Sequence, residues 1–469
     1  MRIPPVIRQM GIRLGAITLV KAMGLIGRIL LTRMVGTEGI GLFQIAYSYY
    51  GFIFMLITGG VPTALALYTA EQNAHGWIWF KRLSVVFVLV GACLCLLSIS
   101  YSQHVSEWLG NPYLSFFIRP LSLSLFVVPL LSLFRGYLQG LECYGAIAVS
   151  EMIEQAVRVV LMLSIAWLLM PQGMIYAAGI SQIGTALGGI AAFISLLIYY
   201  LHVKRKDVLY STPARSGITD GIWFIRSSFL IAMTRLLVPF SDMLDAIIIP
   251  SRLQTAGYDS SQATAMYGLL TGMAVLIVYT PTIVTGAISH TITMKLVMAW
   301  KERRFGQFNA RSRDALEIGW IWGIATCIFL WYYKSELSMV FFKTPEAAEL
   351  IRWLFIIPLL VGLREISTSI LWSQDNKRIS LIGTIIGISV ATLSHYSFIP
   401  LEGLHILGAV IGIILMELIV TMMNLIGLKR VIGRINIGKV LINTLMILII
   451  LVPVATVTRS IGTHINWGN

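Results

Sequence analysis

Apolar runs close to the length of a bilayer crossing recur from one end of the chain to the other, divided by short polar stretches. About 20 helical residues cross a bilayer's hydrocarbon core. The runs fall near 9–33, 40–69, 83–101, 113–137, 146–170, 174–201, 223–249, 264–294, 315–333, 347–372, 379–399, 405–427 and 438–458. None shows the apolar/polar alternation of a closed barrel, and hydrocarbon leaves no partner for an unpaired backbone. Each run therefore predicts a helix, and the pattern as a whole predicts an all-α polytopic membrane protein with no sizeable domain outside the bilayer.

The pattern also repeats. "GLFQIAYSYYGFIFMLITGGVPTALAL" begins at Gly41 and "GLLTGMAVLIVYTPTIVTGAISHTITM" at Gly268, so that Gly41 pairs with Gly268 and Gly59 with Gly286 at one shift of 227 residues. Ile12-Arg13 matches Ile225-Arg226, and Lys21 matches Arg235 more loosely. The repeat predicts two pseudo-symmetric lobes of six helices plus one extra C-terminal helix. The lobes are 1–202 and 223–427, with a basic cytoplasmic linker at 203–222 and a basic loop and last span at 428–469. Spans 1 and 7 run in the same direction, which implies an axis along the membrane normal and a site where the lobes face each other.

Charge sharpens this picture. Only 12% of the residues are charged, about half the usual share, yet the net charge is +14. The cations do not form a nucleic-acid face. They gather in alternate loops, at Lys81-Arg82, Lys204–Lys206 with Arg215, Lys301 with Arg303-Arg304, Lys377-Arg378 and Lys429-Arg430. That asymmetry places the N-terminus and these loops in the cytoplasm, and an odd count of thirteen spans puts the C-terminus outside. The basic start "MRIPPVIRQMGIRLG" lacks a small-residue cleavage site after a short apolar run and reads as retained. Cys93, Cys95, Cys143 and Cys327 form no C-x-x-C pair and no His/Cys cluster, so they read as small packing residues; neither metal nor cofactor is expected.

The informative residues are charges inside the spans. A cation near the bilayer centre costs about 2.5–3.5 kcal/mol on insertion scales, so such residues face a hydrated cavity or a counter-charge. Lys21 and Arg28 lie seven apart in the first span and share a face. Span 7 carries Arg235, Asp242 and Asp245, with Pro239 predicting a kink. In span 5, Glu151, Glu154 and Arg158 form one stripe, and Glu154 and Arg158 can pair along the helix. Arg135 and Glu142 read as interfacial residues near the turn "GYLQGLECYG". Arg364 and Glu365 are adjacent, point apart, and form a weak pair. The plainer alternative is that all these charges are ion pairs that fix packing. Gly59, Gly60 and Gly286 read as close-packing positions, and His290 and His395 as packed polar residues. If the charges line a cavity, its cationic character suits a phosphate or pyrophosphate and not a cationic drug.

"FRGYLQG", "AVSEMIEQAVRVV", "GRILLTRMVGTEGIGLFQIAYSYY" and "LLVPFSDMLDAIIIPSRLQTAGYDSSQATAMYGLLTGMA" resemble the stage V sporulation protein B family. That family is in the polysaccharide-transporter branch of the multidrug/oligosaccharidyl-lipid/polysaccharide exporter superfamily, which also holds MurJ-type lipid II flippases. The resemblance runs from about residue 9 to 430. It implies a MATE- and MurJ-like fold, alternating access, and export of an undecaprenyl-pyrophosphate-linked saccharide across the bacterial cytoplasmic membrane, with membrane lipids and the cell-wall synthesis machinery as partners. It assigns Lys21, Arg28 and Arg235 to the pyrophosphate, leaving Glu151, Glu154, Arg158, Asp242 and Asp245 as a charge or coupling network. Many members have fourteen helices, which leaves the C-terminal count open between thirteen and fourteen. A cation-coupled multidrug exporter is the alternative, although proton-coupled relatives carry a buried acid in the first span, where none precedes Glu38. An enzyme needs positioned acids, bases or nucleophiles, and the short basic loops present none.

Overall fold

A computed structural model describes residues 5–204, 218–429 and 437–464. Most of the predicted basic linker, and the loop holding Arg430 and Arg434, lie outside the described residues. Those described contain no strand. The first helix, α1 (Pro5–Thr58), would be about 80 Å long if straight, far more than one crossing. Gly36 breaks it with φ 64 and ψ −168, a conformation that glycine alone adopts without strain. The break falls between the first two predicted spans. The second span is interrupted in turn: α1 stops before Gly59 (φ 43), and α2 (Val61–Glu71) restarts with Pro62 in its first turn, where no N–H is needed.

The first half continues through α3 (Asn73–Ser100), α4 (Ser102–Trp108), α5 (Ser115–Gly140), α6 (Tyr144–Leu169), α7 (Met174–Ile180) and α8 (Ile183–Lys204). Helix α9 (Ile218–Thr255) runs on through Pro239. Then come α10 (Ser260–Tyr267), a wide π-helical segment (Gly268–Ala274), α11 (Val275–Tyr279) and α12 (Thr282–Lys301). The run predicted as one span at 264–294 is thus two helices parted at Thr280–Pro281. The rest is α13 (Phe305–Phe342), α14 (Ala347–Leu354), α15 (Ile357–Ser373), α16 (Lys377–Phe398), α17 (Ile406–Gly427) and α18 (Ile437–His464). Helices α14 and α15 meet at a 48° bend.

Among the described residues, 11 helices are long and apolar enough to cross a membrane, or 12 with the bent α14–α15 pair as one span. The chain is a multi-pass helical membrane protein. The count differs from thirteen for local reasons. The continuous Gly15–Glu71 run holds two crossings' length, the run from Ser260 to Lys301 is split, and the last apolar stretch, Ile442–Thr458, falls just short of the length required.

By packing, the chain forms two compact units, the first reaching Ile247 and including Ser260–Ala265, the second made of Ile248–Asp259 and everything from Met266. The first unit therefore holds most of α9, the helix with which the sequence repeat begins its second copy. An aromatic core of Tyr68, Phe80, Phe134, Tyr137 and Phe224 organises the first unit. Phe308, Leu316, Ile366 and Ile370 lie at the core of the second. Outward faces stay apolar, as at Leu89, Leu96 and Ile225, because the surrounding solvent is hydrocarbon and polar outer faces would be costly there.

Candidate functional site

In the first unit, the charges of α6 are organised by close helix contact. Helix α6 packs against α1 and α8. At Gly188 of α8 an added Cβ would lie 2.7 Å from the Glu154 carbonyl oxygen and 3.2 Å from Arg158 Cβ. The absence of a side chain there seats α8 on the very turn that carries these two residues. With one flank of α6 occupied, their side chains turn to α5 and α1.

The predicted Glu154–Arg158 pairing is not what forms. Arg135 of α5 donates from Nη1 to Glu154 Oε2 at 2.7 Å and from Nε to Ser150 Oγ at 3.0 Å. A guanidinium approaching from a neighbouring helix meets the carboxylate and the hydroxyl one turn before it in one planar fork, a geometry that a residue four places along the same helix does not offer. Arg135 is accordingly an internal ion-pair residue and not the interfacial one expected. Arg158 turns to Tyr47 OH of α1 (3.2 Å) and to Gln155 Oε1 on its own helix, with Glu154 and Tyr50 within Coulombic reach. Glu151 is partly buried one turn before Glu154. Glu142 is exposed, as an interfacial residue should be.

Arg28 sits where α1 meets α6, one turn past Gly24 and beside Gly27, which admit Gln155 and Val159 of α6. Its guanidinium carbon is 5.9 Å from the Phe43 ring centre, and Asp242 of α9 lies within electrostatic reach of both Arg28 and Asp245. Helix α9 is held to this unit by bare backbone contact. A Cβ added at Gly60 would strike the Ser228 carbonyl, one added at Gly59 would lie 3.0 Å from Ala232 Cβ, and the Phe52 and Phe240 rings lie 6.1 Å apart. Of the predicted residues, the structure thus brings Arg28, Asp242 and Asp245 together in one place and Glu154 and Arg158 in another. Lys21 and Arg235 are exposed and make no hydrogen bond or ion pair among the described residues.

The second unit holds a network that sequence reasoning missed. Arg364 of α15 donates from Nε to Glu417 Oε2 of α17 at 2.6 Å. Tyr279 of α11 donates its hydroxyl to Glu417 Oε1 at 3.0 Å. The π-helical turn just before α11 adds a residue to the helix and so re-phases Tyr279 relative to an unbroken α-helix. Glu365 accepts from Thr285 of α12 at 2.9 Å and makes no hydrogen bond with Arg364, though it stays within Coulombic reach of it. Asn424 of α17 donates to Thr368 at 2.9 Å, and Thr421 to the Leu360 carbonyl at 3.0 Å. The available signal for Glu417 was a lone acid in one of the most apolar runs of the chain, "IGIILMELIV" from Ile411. Among the described residues no group of three or more His, Cys, Asp or Glu is placed to hold a metal ion.

Bundled bilayer-length helices with paired charges inside them define a polytopic helical membrane protein. The fold is that of a solved inward-facing multidrug resistance MATE family transporter of the MOP superfamily, with TM-score 0.71 and 15% identity, covering 88% of this chain and 95% of that one. The family model for polysaccharide biosynthesis protein matches residues 6–292, and the chain belongs to that family. It is similar to Stage V sporulation protein B of Bacillus subtilis (strain 168), at 23% identity over 423 residues, 88% of this chain and 81% of the relative. It is also similar to Lipid II flippase MurJ of the same organism, at 23% identity over 415 residues, 81% and 75% of the two chains.

Proposed function

We propose that this protein is a carrier that moves a lipid-linked oligosaccharide, an undecaprenyl-pyrophosphate saccharide such as a polysaccharide or peptidoglycan precursor, from the inner to the outer leaflet of the bacterial cytoplasmic membrane. Membership of the polysaccharide biosynthesis family carries this reading, and similarity to a lipid II flippase supports its lipid-linked form. The N-terminus and the basic loops lie in the cytoplasm, and two six-helix lobes alternate access by moving against each other. Arg28 is the principal pyrophosphate contact, with Lys21 and Arg235 as further cations; Asp242 and Asp245 hold Arg28 in a defined position when no cargo is bound. Glu154 and Arg158 tie α5, α6 and α1 into a unit that moves as one, with Glu151 beside them. No covalent chemistry is required: the headgroup is exchanged between protein cations and water on the two sides.

The test is flipping of a fluorescent undecaprenyl-pyrophosphate saccharide in proteoliposomes, read by accessibility to an added enzyme that modifies only outer-leaflet headgroups. Wild type is expected to move the lipid, and Arg28→Ala/Arg235→Ala to fall to the rate of empty liposomes while keeping its elution profile. Equal rates for both would remove the cations from the path. If neither protein moves the lipid, the cargo assignment fails; loss of drug resistance with Asp242→Asn would then favour a cation-coupled drug exporter on the same fold.

A further inference from the structure

We propose that Arg364 is a phosphate-gripping residue of the second unit, a site separate from Arg28 and unforeseen in the sequence; the inference rests on the carrier reading above. Helix α15 packs against α12, α13, α16 and α17, and most of its residues are buried. Arg364 nonetheless keeps 30% of its side-chain surface exposed, whereas its partner Glu417 keeps 3%. A charged head in such a place needs water or an anion.

The hydrogen bonds show which part of the guanidinium is committed. Nε is held by Glu417 at 2.6 Å, and Glu417 is itself fixed by the Tyr279 hydroxyl at 3.0 Å. Nη1 and Nη2 of Arg364 have no hydrogen-bond partner among the described residues, and neither is sealed from solvent. A guanidinium anchored through Nε offers its two amino groups as a rigid planar fork, which matches two oxygens of a phosphate. The neighbouring carboxylate makes no hydrogen bond to this fork, although it lies within Coulombic reach of it. Glu365 is turned to α12, where it accepts from Thr285 at 2.9 Å and lies 3.7 Å from the position a Gly286 Cβ would take.

Arg135 is the control that the chain itself provides. It precedes Arg364 by 229 residues, close to the repeat shift, and occupies the corresponding helix of the first half. Its Nε and Nη1 are bound to Ser150 and Glu154, and its Nη2 is buried without a partner. That guanidinium has no pair of open amino groups left to offer. The two positions share a residue type and an anchoring acid, yet only the second half leaves the fork open. The ligand chemistry is the oxygen atoms of a phosphate or pyrophosphate, whether lipid-borne or free.

The full-length protein in nanodiscs would be titrated with undecaprenyl pyrophosphate, with undecaprenol and with inorganic pyrophosphate. Wild type should bind the pyrophosphate lipid more tightly than the alcohol. Arg364→Lys keeps the charge but loses the fork, and Arg364→Gln/Glu417→Gln removes both charges so that neither is left buried alone. Each should bind the pyrophosphate lipid about tenfold more weakly, with binding of undecaprenol unchanged. Competition by inorganic pyrophosphate would show that the anion alone is read; competition only by the lipid would show that the tail is required, and either supports the site. If wild type prefers the pyrophosphate lipid and both variants bind it as wild type does, Arg364 is a packing residue and the carrier reading stands. If wild type shows no preference for the pyrophosphate, both fall.

Discussion

At the scale of single residues, an ion pair inside a membrane helix bundle fixes helices only if both members are present. Arg135 and Glu154 keep 18% and 15% of their side-chain surface, so removing one leaves the other charged in a nearly dry place. Glu154→Ala should destabilise the protein by about 3–5 kcal/mol, because the Arg135 charge loses its counter-ion. Arg135→Met/Glu154→Met should lie close to wild type, since two apolar side chains carry no such penalty. Apparent unfolding temperatures in detergent would check both, and a double variant as unstable as the single one would mean that the charges themselves are needed. Tyr47→Phe is a gentler probe. It removes one acceptor from Arg158 at 3.2 Å and should cost about 1.5–3 kcal/mol, the range for a hydrogen bond to a charged group. These pairs also show what a sequence conceals. That Glu154 and Arg158 needed partners was legible from their depth in an apolar run. Their actual partners were not, because pairing depends on which faces of α5, α6 and α1 meet, and hydropathy does not encode it. Glu417 was hidden in the same way: its partner Arg364 lies 53 residues away on another helix.

At the scale of elements, the helices and most of their limits followed from apolar length alone, while the interruptions inside them did not. Gly36 falls between two runs and was readable as a boundary. The breaks at Gly59–Gly60, Ser181–Gln182 and Thr280–Pro281 lie within single apolar runs, where the side chains stay apolar across the break and only backbone conformation changes. Glycine contacts are the second element-scale feature. An added Cβ at Gly60 would strike the Ser228 carbonyl and the Ile231 side chain, both on α9. Gly60→Ala should therefore force α9 away from this position at a cost of about 1–3 kcal/mol. Gly15 has nothing within 4 Å of an added Cβ, so Gly15→Ala should leave stability within about 1 kcal/mol of wild type or raise it. Comparing the two unfolding temperatures separates close packing from any general effect of losing a glycine. Equal shifts would mean that α9 is not held through Gly60.

At the scale of the whole molecule, the side of each loop follows from how many times the run from Ser260 to Lys301 crosses the bilayer. Its two helices are 20 residues each by length and composition, and each could span alone. The charge pattern argues for one crossing. Lys295, Lys301, Arg303 and Arg304 crowd the far end of α12, so the end of that helix extends out of the hydrocarbon on the basic side instead of completing a second crossing. Pro281 then marks a kink within one span, where the lost N–H is accommodated by neighbouring helices. Single crossing keeps every later loop in register with the positive-inside pattern; double crossing would invert all of them and send Lys377 and Arg378 outside. Cysteine labelling distinguishes the two. In a background with Cys93, Cys95, Cys143 and Cys327 replaced, Glu142→Cys, Glu302→Cys and Lys377→Cys should react with a membrane-impermeant maleimide only after permeabilisation. Gly173→Cys and Glu402→Cys should react in intact cells. Reversal at Glu302, Lys377 and Glu402 with Glu142 and Gly173 unchanged would place a second crossing between Ser260 and Lys301 and invert every helix that follows it.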